Sequence, residues 1–503
     1  MPKVVDRRAL LKFASAALLP IAASGKAIAS DTPFNGAVVD DVAADLARQP
    51  FVPLSYSPPA PLDTFGYDEY RDIRYRPERA IWANGNVSTL SLQFFLASFI
   101  YKDPVEVFLI EGGVPRPVEA LRDMFDFGLS DPKVPPSGNF AISGFRVHGA
   151  LNRSGMNDEI AAFNGASYFR AVGRGHSYGL SARGLALNTI GQGLEEFPRF
   201  RTFWIEQPEG EKGLSFHALL DSPSVTGAYH FVLRPGSETI TDVRVALFPR
   251  QELARVGLAP LTSMFLFDSR NRRNFRDFRL AVHDSNGLAI RTADGEHLWR
   301  PLLNPATVQA SVYEVNNPRG YGLVQRQRMF EQFQDLEARY ELRPTAWIEP
   351  VGEWGAGTVE LLELPIGAEW GDNIVAYWRP AQPLEASRRH DFAYRLHWCD
   401  DYPLNVRRVI NTFVGVSSGL PLFMIDYDKS INEKDVPSAR AWSSAGRTTQ
   451  PIVQNNPHTG GVRCFFSLEP LGQKLVDLRL TLNGFDLKPS SNAEVWTYRW
   501  SAD

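Results

Sequence analysis

Cysteine is the scarcest residue in this sequence: the 503 residues include only Cys399 and Cys464. Two thiols exclude a disulfide-dense scaffold and a four-cysteine zinc site, and their spacing leaves open whether they pair or stay free. The sequence also lacks an excess of charge of either sign, with 53 Lys+Arg against 57 Asp+Glu. No polybasic surface therefore points to nucleic acid. A largely disordered chain is excluded as well, because 44% of the residues are hydrophobic.

Motifs of several other chemistries are missing too. The sequence has no H-E-x-x-H, no P-loop and no dinucleotide fingerprint, and its nine histidines show no metal-ligand spacing, so we expect neither metal nor cofactor. Residues 415–419 (G-V-S-S-G) match a serine nucleophile pattern, but they sit in a polar region without a parallel α/β context, which argues against catalysis. His176 is compatible with a lyase-type site or with a hydrogen-bonded structural histidine.

The first 29 residues have the layout of an export signal. A basic start precedes an apolar stretch and a small-x-small cleavage pattern: Lys3, Arg7, Arg8 and Lys12, then Phe13 to Ala23, then Ala27-Ile28-Ala29. The run from Asp6 to Lys12 resembles the twin-arginine motif, and a chance arginine pair on an ordinary secretory signal is the alternative. The net charge of the full sequence is −4 and that of residues 1–29 is +4. The exported chain therefore has a net charge of −8, and it is expected to be soluble and periplasmic.

The rest of the sequence is typical of a β-rich protein with many turns. Aromatic residues make up 12% of the chain, alongside 39 glycines and 36 prolines. Residues 242–247, 477–482 and 495–500 alternate at period two or are rich in β-favouring side chains, which predicts strands. One amphipathic helix is predicted over residues 37–49, with weaker helix candidates at 251–256 and 331–340. The sequence therefore predicts an all-β fold.

A domain boundary is predicted after residue 400, where a strand-like segment gives way to a polar stretch that looks irregular up to residue 445. Residues 30–400 exceed an ordinary β-sandwich, so either an enlarged double sheet or two fused sandwiches are expected there. Residues 401–503 are enough for one small β-sandwich.

Two kinds of side chain suggest carbohydrate chemistry. Exposed aromatic rings stack on pyranose faces, and candidates are Trp347, Trp354, Trp370 and the pair at 377–378, for which core packing is the alternative. Asp284 and Asp372 lie in turn-like polar contexts, and glycoside cleavage needs such a carboxyl pair. Each acid could equally be a turn residue that accepts hydrogen bonds from its own backbone.

Several long motifs occur in a fixed order: residues 164–171 (N-G-A-S-Y-F-R-A), 178–184 (Y-G-L-S-A-R-G), 195–198 (E-E-F-P), 203–204 (F-W), 259–265 (A-P-L-T-S-M-F), 283–285 (H-D-S), 316–318 (N-N-P) and 371–374 (G-D-N-I). Together they closely resemble the osmoregulated periplasmic glucan biosynthesis proteins G and D. The segment 67–82 looks like the N-terminal signature of that family. The resemblance runs from about residue 38 to Tyr394 and continues more weakly to residue 503, and the twin-arginine-like leader favours the D branch.

The resemblance implies a galactose-mutarotase-like β-sandwich followed by an immunoglobulin-like β-sandwich, acting on periplasmic β-1,2-glucan. Proteins of the D type are inverting endo-β-1,2-glucanases. By motif match, the general acid falls on Asp372 and the general base on Asp284, which acts through a relay of hydroxyls and water, with Glu369 in support. The residues expected to line the glucan groove are Tyr168, Arg170, Arg183, Trp347 and Trp354.

Other functions remain open at this point. A transglycosylase that makes cyclic glucans could use the same site, and a glucan-binding scaffold for a membrane glucosyltransferase would need no catalysis. A mutarotase or a polysaccharide lyase is suggested only by the large sandwich. The expected partners are β-1,2-glucan and the glucan synthesis machinery of the inner membrane, while a homodimer is neither required nor excluded.

Overall fold

The computed structural model describes residues 33–83, 89–138, 140–189, 194–208, 210, 213–272, 275–428, 437–483 and 492–502. The predicted export leader lies outside these residues. Strands make up 48% of the structure and helices 8%, so the predicted all-β class is confirmed. No helix in the described residues is both long and apolar enough to cross a membrane.

The strands are numbered in chain order. The first twelve are β1 (Arg74–Tyr75), β2 (Leu90–Leu96), β3 (Glu106–Glu111), β4 (Val114–Pro117), β5 (Phe125–Asp126), β6 (Ile142–Gly149), β7 (Asp158–Asn164), β8 (Tyr168–Ala171), β9 (Ser181–Arg183), β10 (Leu185–Leu187), β11 (Arg199–Glu206) and β12 (Leu214–Asp221). The next thirteen are β13 (Val225–Arg234), β14 (Thr239–Pro249), β15 (Val256–Ser263), β16 (Phe265–Phe267), β17 (Val282–His283), β18 (Gly287–Arg291), β19 (His297–Pro301), β20 (Gln309–Glu314), β21 (Gly320–Val324), β22 (Thr345–Val351), β23 (Gly357–Glu363), β24 (Ile374–Pro380) and β25 (His390–Cys399). The last eight are β26 (Val409–Ser417), β27 (Leu420–Tyr427), β28 (Ser438–Ser443), β29 (Arg447–Thr448), β30 (Ile452–Asn456), β31 (Gly461–Glu469), β32 (Leu475–Asn483) and β33 (Val495–Ser501).

The α-helices of the described chain are α1 (Ala37–Ala47), α2 (Tyr67–Asp72) and α3 (Phe330–Phe333). Helix α1 confirms the prediction for residues 37–49, and it packs Val39 and Ala43 onto the outer face of β12, β13 and β14. The two weaker helix predictions are wrong. Residues 251–256 lead into β15 without a helix, and residues 331–340 contain only the end of α3 because Gln334 takes a left-handed conformation that stops it.

Two large sheets form the main sandwich. The first has ten strands in the order β2-β6-β7-β8-β9-β15-β24-β23-β20, with β10 also paired to β15. The second has fourteen strands in the order β28-β32-β33-β19-β18-β21-β22-β25-β14-β13-β12-β11-β3-β4. Their facing side chains form one core that contains residues of both sheets.

Phenylalanine fills the centre of this core. Phe163 and Phe169 of the first sheet face Phe216 and Phe231 of the second, with Phe163 and Phe216 ring centroids 5.0 Å apart. Each such ring contributes about 1.5–3 kcal/mol through the apolar surface that it removes from water. Much of the aromatic content of the sequence is therefore explained by packing.

A second, smaller sandwich follows residue 400. Strands β26, β27, β29, β30 and β31 form a five-stranded sheet over β32 and β33, around a core of its own. The prediction of an irregular stretch up to residue 445 is wrong, since β26, β27 and β28 lie within it. Residues 415–419 cover the end of β26 and its tight turn into the antiparallel strand β27, so they lack the parallel α/β context of a serine nucleophile.

The two sandwiches share a sheet. Strand β33 pairs with β32 on one side and runs parallel to β19 on the other, with Leu298 opposite Val495. The predicted boundary falls between β25 and β26, but the fourteen-stranded sheet continues across the junction.

A buried ion pair lies at this junction. Arg326 donates to both carboxylate oxygens of Glu494 at 2.5 and 2.8 Å, and the guanidinium lies over the Trp299 ring. The Tyr402 hydroxyl and the Val409 N–H also donate to Glu494, at 2.8 Å each. The carboxylate is thus fully paired, which a buried charge requires.

The two cysteines are buried and free, on β25 and β31. Burial raises the pKa of the Cys464 thiol to about 12, so it stays protonated at neutral pH.

Candidate active site

A cavity of about 650 Å³ lies on the outer face of the ten-stranded sheet. Strand β8 shows how the sequence builds it: Phe169 and Ala171 point into the core, while Tyr168 and Arg170 alternate with them and line the cavity. The turn from β7 to β8 passes through Gly165, whose φ is +81° and where a side chain would meet the Tyr101 ring.

Three carboxylates line this cavity, and they are not equivalent. Asp103 forms an ion pair with Arg199, and Glu159 pairs with Arg146 at 3.0 Å. The Asp372 side chain is exposed and has neither an ion pair nor a hydrogen bond with any described residue. Asp372 is therefore the carboxyl that is free to act on a bound molecule.

Asp372 is positioned by its neighbour Asn373 at the end of the connection from β23 to β24. The Asn373 N–H donates to the Ser263 carbonyl at 3.1 Å, and its side chain exchanges two hydrogen bonds with the Phe265 backbone. The same side chain donates to the Leu364 carbonyl at 3.0 Å, which closes the base of the loop.

Asp284 directly follows β17, and its N–H donates to the Met264 carbonyl at 2.8 Å. Ser263, Met264 and Phe265 thus anchor both predicted catalytic acids, one through Asn373 and one directly. This common anchor explains why two acids 88 positions apart in sequence lie close enough for the charge of Asp372 to raise the pKa of Asp284, although Asp372 lines the cavity and Asp284 does not.

The Asp284 carboxyl is almost fully buried. Burial raises its pKa to about 6, the positive charge of Arg343 opposes that rise, and Asp372 adds to it. The Arg343 Nη1 lies 3.5 Å from Asp284 Oδ1. At neutral pH the carboxyl is ionised and can accept a proton.

Glu369 lies on the same loop as Asp372 but has fixed partners. Arg279 Nη1 donates to Glu369 Oε2 at 2.8 Å, and the Tyr340 hydroxyl donates to the same oxygen at 2.7 Å. Arg279 also binds Asp277 and Asp335, so it joins three loops.

The Tyr340 hydroxyl keeps its proton because its pKa lies well above the ordinary value. The causes are burial, then the hydrogen bond and charge of Glu369, then the charge of Asp284. Tyr340 is therefore a protonated hydroxyl that donates to Glu369 and lies near Asp284, and it cannot act as a base.

Arg183 supports the cavity from below. It is buried, donates to Thr262 Oγ1 at 2.9 Å and to Glu195 Oε1 at 2.8 Å, and lies under the Tyr168 ring. Arg170 donates to Ser181 Oγ at 2.6 Å and remains exposed to the cavity.

Trp347 and Trp354 lie in other parts of the structure. Trp347 stacks on Tyr402 at 4.2 Å in the core of the junction. Trp354 donates to the Ala393 carbonyl at 3.1 Å and lines a separate cavity of about 550 Å³ beside α1. Both rings are packed against other residues, which is the alternative to sugar stacking that the sequence left open for them.

His176 is held at the junction of the two sandwiches. Its Nδ1 accepts from the Gly173 N–H at 3.2 Å, and its Nε2 contacts Asp400 at 2.9 Å. These contacts agree with a hydrogen-bonded structural histidine. Within the described residues, no group of three or more His, Cys, Asp or Glu side chains is placed to hold a metal ion.

Arg279, Tyr340 and Arg343 were missed by sequence reasoning. The sequence predicts a helix that ends at Tyr340, whereas Tyr340 lies in the short 3-10 turn Tyr340–Leu342. The arginine-rich run between residues 270 and 279 was a visible signal, but nothing in it marked Arg279 as the partner of a residue 90 positions away.

These features define a class of large two-sheet β-sandwich proteins with a carboxylate-lined cleft on the outer face of one sheet. A family model described as "Periplasmic glucan biosynthesis protein, MdoG" matches residues 34–500. The chain belongs to this family, as its motifs suggested, and the family implies a periplasmic location.

Two relatives illustrate the similarity. Glucans biosynthesis protein G of Shewanella frigidimarina (strain NCIMB 400) is 44% identical over 477 residues, which is 93% of this chain and 85% of the relative. Glucans biosynthesis protein G of Rhodopseudomonas palustris (strain BisA53) is 42% identical over 503 residues, which is 98% of this chain and 99% of the relative. Because both carry the name G, the preference for the D branch rests on the leader alone and stays a prediction.

Proposed function

We propose that this protein is an anomer-inverting endo-β-1,2-glucanase with Asp372 as general acid and Asp284 as general base. The observation that carries the proposal is the common anchor of the two acids on residues 263–265. One acid is exposed in the cleft without a protein partner, and the other is buried with a raised pKa. A raised pKa on a buried carboxyl is ordinarily the mark of the proton donor, so the roles of Asp372 as acid and Asp284 as base are taken from the motif match.

The reaction would proceed in one displacement. Asp372 protonates the glycosidic oxygen as the bond from that oxygen to the anomeric carbon breaks, and a water attacks that carbon from the opposite face. The proton lost by this water travels through hydroxyl groups to Asp284. Tyr340 stays protonated and lies near Asp284, but its hydroxyl donates to Glu369, so it could join this relay only by turning that hydroxyl towards Asp284.

Glu369 serves as an anchor in this scheme rather than as a proton donor. Its Oε2 already accepts hydrogen bonds from a guanidinium and from a phenol. It therefore holds the loop that presents Asp372. The β-1,2 linkage is proposed from the family resemblance, and the cavity dimensions are compatible with several sugar units.

The test compares four purified proteins on linear β-1,2-glucan: wild type, Asp372→Asn, Asp284→Asn and the control Asp45→Asn. Asp45 is an exposed residue of α1 whose partner is Arg48. We expect the wild type and the control to release reducing ends, with the α anomer formed first by NMR. Both catalytic variants should lose at least a thousandfold in rate.

Product mass separates the alternatives. If the products are cyclic and the number of reducing ends does not increase, the protein is a transglycosylase rather than a hydrolase at the same site. Glucan binding without any product, even after long incubation, would replace it by a scaffold function. Full activity of Asp372→Asn would overturn the assignment of the acid.

We propose further that export follows the twin-arginine route, on the basis of Arg7 and Arg8 in the leader. The double substitution Arg7→Lys and Arg8→Lys should leave the full-length precursor in the cytoplasm. Continued export of the double variant would instead indicate the general secretory route.

A further inference from the structure

The two most exposed aromatic side chains in the described residues are Trp370, 90% exposed, and Phe278, 75% exposed. Scattered apolar side chains on a surface need no explanation. Trp370 and Phe278 are different, because each is adjacent in sequence to one member of the same ion pair. Phe278 precedes Arg279, and Trp370 follows Glu369, whose carboxylate accepts from Arg279 at 2.8 Å.

Trp370 is exposed on a loop with fixed geometry. The loop from Leu364 to Asn373 is closed at its base, where the Leu364 N–H donates to the Asn373 carbonyl at 2.9 Å. Asn304 exchanges hydrogen bonds with the Ile366 backbone at 2.8 and 3.0 Å on one wall. Glu369 fixes the tip, so the exposure of Trp370 does not result from a loose segment.

Phe278 is held in the same way. Arg272 donates to the Asp277 carbonyl at 2.8 Å and to the Arg279 carbonyl at 2.7 Å, on either side of Phe278. The Arg279 N–H donates to Asp277 Oδ1 at 2.9 Å. Both rings are thus presented to solvent by backbone that is fixed on each side.

The position of the pair relates it to the cleft. Trp370 lies two residues from Asp372, so their Cα atoms are at most about 7 Å apart. An aromatic face at that distance from the proton donor is placed to meet a sugar unit close to the cleaved bond. Pyranose rings have an apolar face, and a tryptophan ring is a large rigid surface for it.

We propose that Trp370 and Phe278 form an aromatic platform on which glucosyl units of the glucan stack where the chain passes the rim beside Asp372. This inference rests on the proposed function, because it assumes that the glucan occupies this cleft. Trp370, the closer in sequence to Asp372, stacks on a unit next to the cleavage point. Phe278, across the ion pair, holds a unit further along the chain.

Binding is measured first, without turnover. Tryptophan emission of Asp372→Asn is followed during titration with linear β-1,2-glucan, and we expect a blue shift as the exposed indole is covered. The shift should disappear when Trp370→Phe is added, while binding measured by calorimetry persists because the phenyl ring still stacks. A full shift in the Trp370→Phe double variant would overturn the platform.

Kinetics test the platform separately. In the otherwise unchanged enzyme, Trp370→Ala should raise KM three- to tenfold and leave kcat within about twofold, since stacking holds ground state and transition state alike. Trp370→Tyr should restore most of the loss, and Phe278→Ala should raise KM for long chains only. The control is Trp442→Ala, which removes a 54% exposed tryptophan on β28.

The outcomes also distinguish the platform from the proposed reaction. Hydrolysis with Trp370→Ala indistinguishable from Trp442→Ala overturns the platform and leaves the glucanase standing. A Trp370-dependent blue shift with no product from the wild type supports the platform and overturns the glucanase. Absence of any glucan binding overturns both.

Discussion

Asn373 and Phe265 exchange two hydrogen bonds, one in each direction. The Phe265 N–H donates to Asn373 Oδ1 at 2.8 Å, and Asn373 Nδ2 donates to the Phe265 carbonyl at 3.0 Å. Because Met264, the residue before Phe265, accepts from the Asp284 N–H, this exchange fixes the position of Asp372 relative to Asp284. The separation of the two acids therefore depends on an amide that takes no part in proton transfer.

Removal of this amide should impair activity more than stability. Asn373→Ala leaves buried backbone groups of Phe265 and Leu364 unpaired, so we expect a loss of about 3 kcal/mol in the free energy of unfolding and at least a hundredfold loss in kcat. The matched control is Asn304→Ala, which removes two hydrogen bonds to Ile366 of the same loop and one to the Leu266 carbonyl. Urea unfolding and glucan hydrolysis give the two numbers, and an equal kcat loss in the control would contradict this role of Asn373.

The activity should fall as the pH drops through about 6. Asp284 accepts a proton only when it is ionised, and burial raises its pKa to about 6. Arg343 lowers that pKa, so Arg343→Gln should move the acidic limb of the rate profile to higher pH, by about one unit. Exposed Arg276 is the control, and a profile for Arg343→Gln that coincides with Arg276→Gln would refute the assignment.

The titration of Asp284 should also change stability, but in the opposite direction: protonation lowers the activity and raises the free energy of unfolding. Between the ordinary pKa of 3.8 and the folded-state value of about 6, the folded protein binds a proton that the unfolded chain does not. The wild type should therefore gain about 2 kcal/mol over Asp284→Asn as the pH falls from 7 to 4. Denaturant unfolding of both proteins at several pH values checks this, and parallel curves would count against a raised pKa.

The Arg279–Glu369 ion pair should act on catalysis through the position of the loop. Arg279→Ala frees the loop tip and leaves Asp277 and Asp335 without their common partner, so kcat should fall about tenfold to a hundredfold. Arg279→Lys keeps one charge contact and should recover part of the loss. Equal rates for Arg279→Ala and Arg276→Ala would show that the ion pair does not position Asp372.

The junction of the two sandwiches should depend on its paired charges. Glu494→Gln leaves Arg326 buried without its counter-ion, which costs about 3–5 kcal/mol in the free energy of unfolding. The double variant Arg326→Met and Glu494→Leu removes both charges and should regain most of that loss. Thermal or urea unfolding measures the series, and a double variant as unstable as Glu494→Gln would contradict the argument.

The sequence was sufficient for the architecture but not for the environment of the site. Period-two alternation identified β14 and β32, because each has one face in a core, and β-favouring side chains identified β33. The polar look of residues 400–445 concealed β26 and β28, whose outward faces are largely exposed. Strands with one solvent-exposed face resemble loops when only the amino-acid composition is considered.

The candidate site shows a similar division. Asp284, Asp372 and Asn373 belong to short rare motifs that could be read directly. Arg279 and Tyr340 act through loops whose meeting depends on tertiary packing, so no local pattern marked them. Trp347 was selected as a ring that a sugar could cover, whereas Tyr402, 55 positions later, already covers it.

The parallel pairing of β33 with β19 has a consequence for how the protein is made. An edge of the large sheet stays open until residues 495–501 are available, although more than thirty strands precede them. A nascent chain that has emerged only as far as β25 presents unpaired β19 backbone, which can template association with other chains. Synthesis of the C-terminal sandwich is thus a kinetic safeguard against aggregation as well as the supply of a second module.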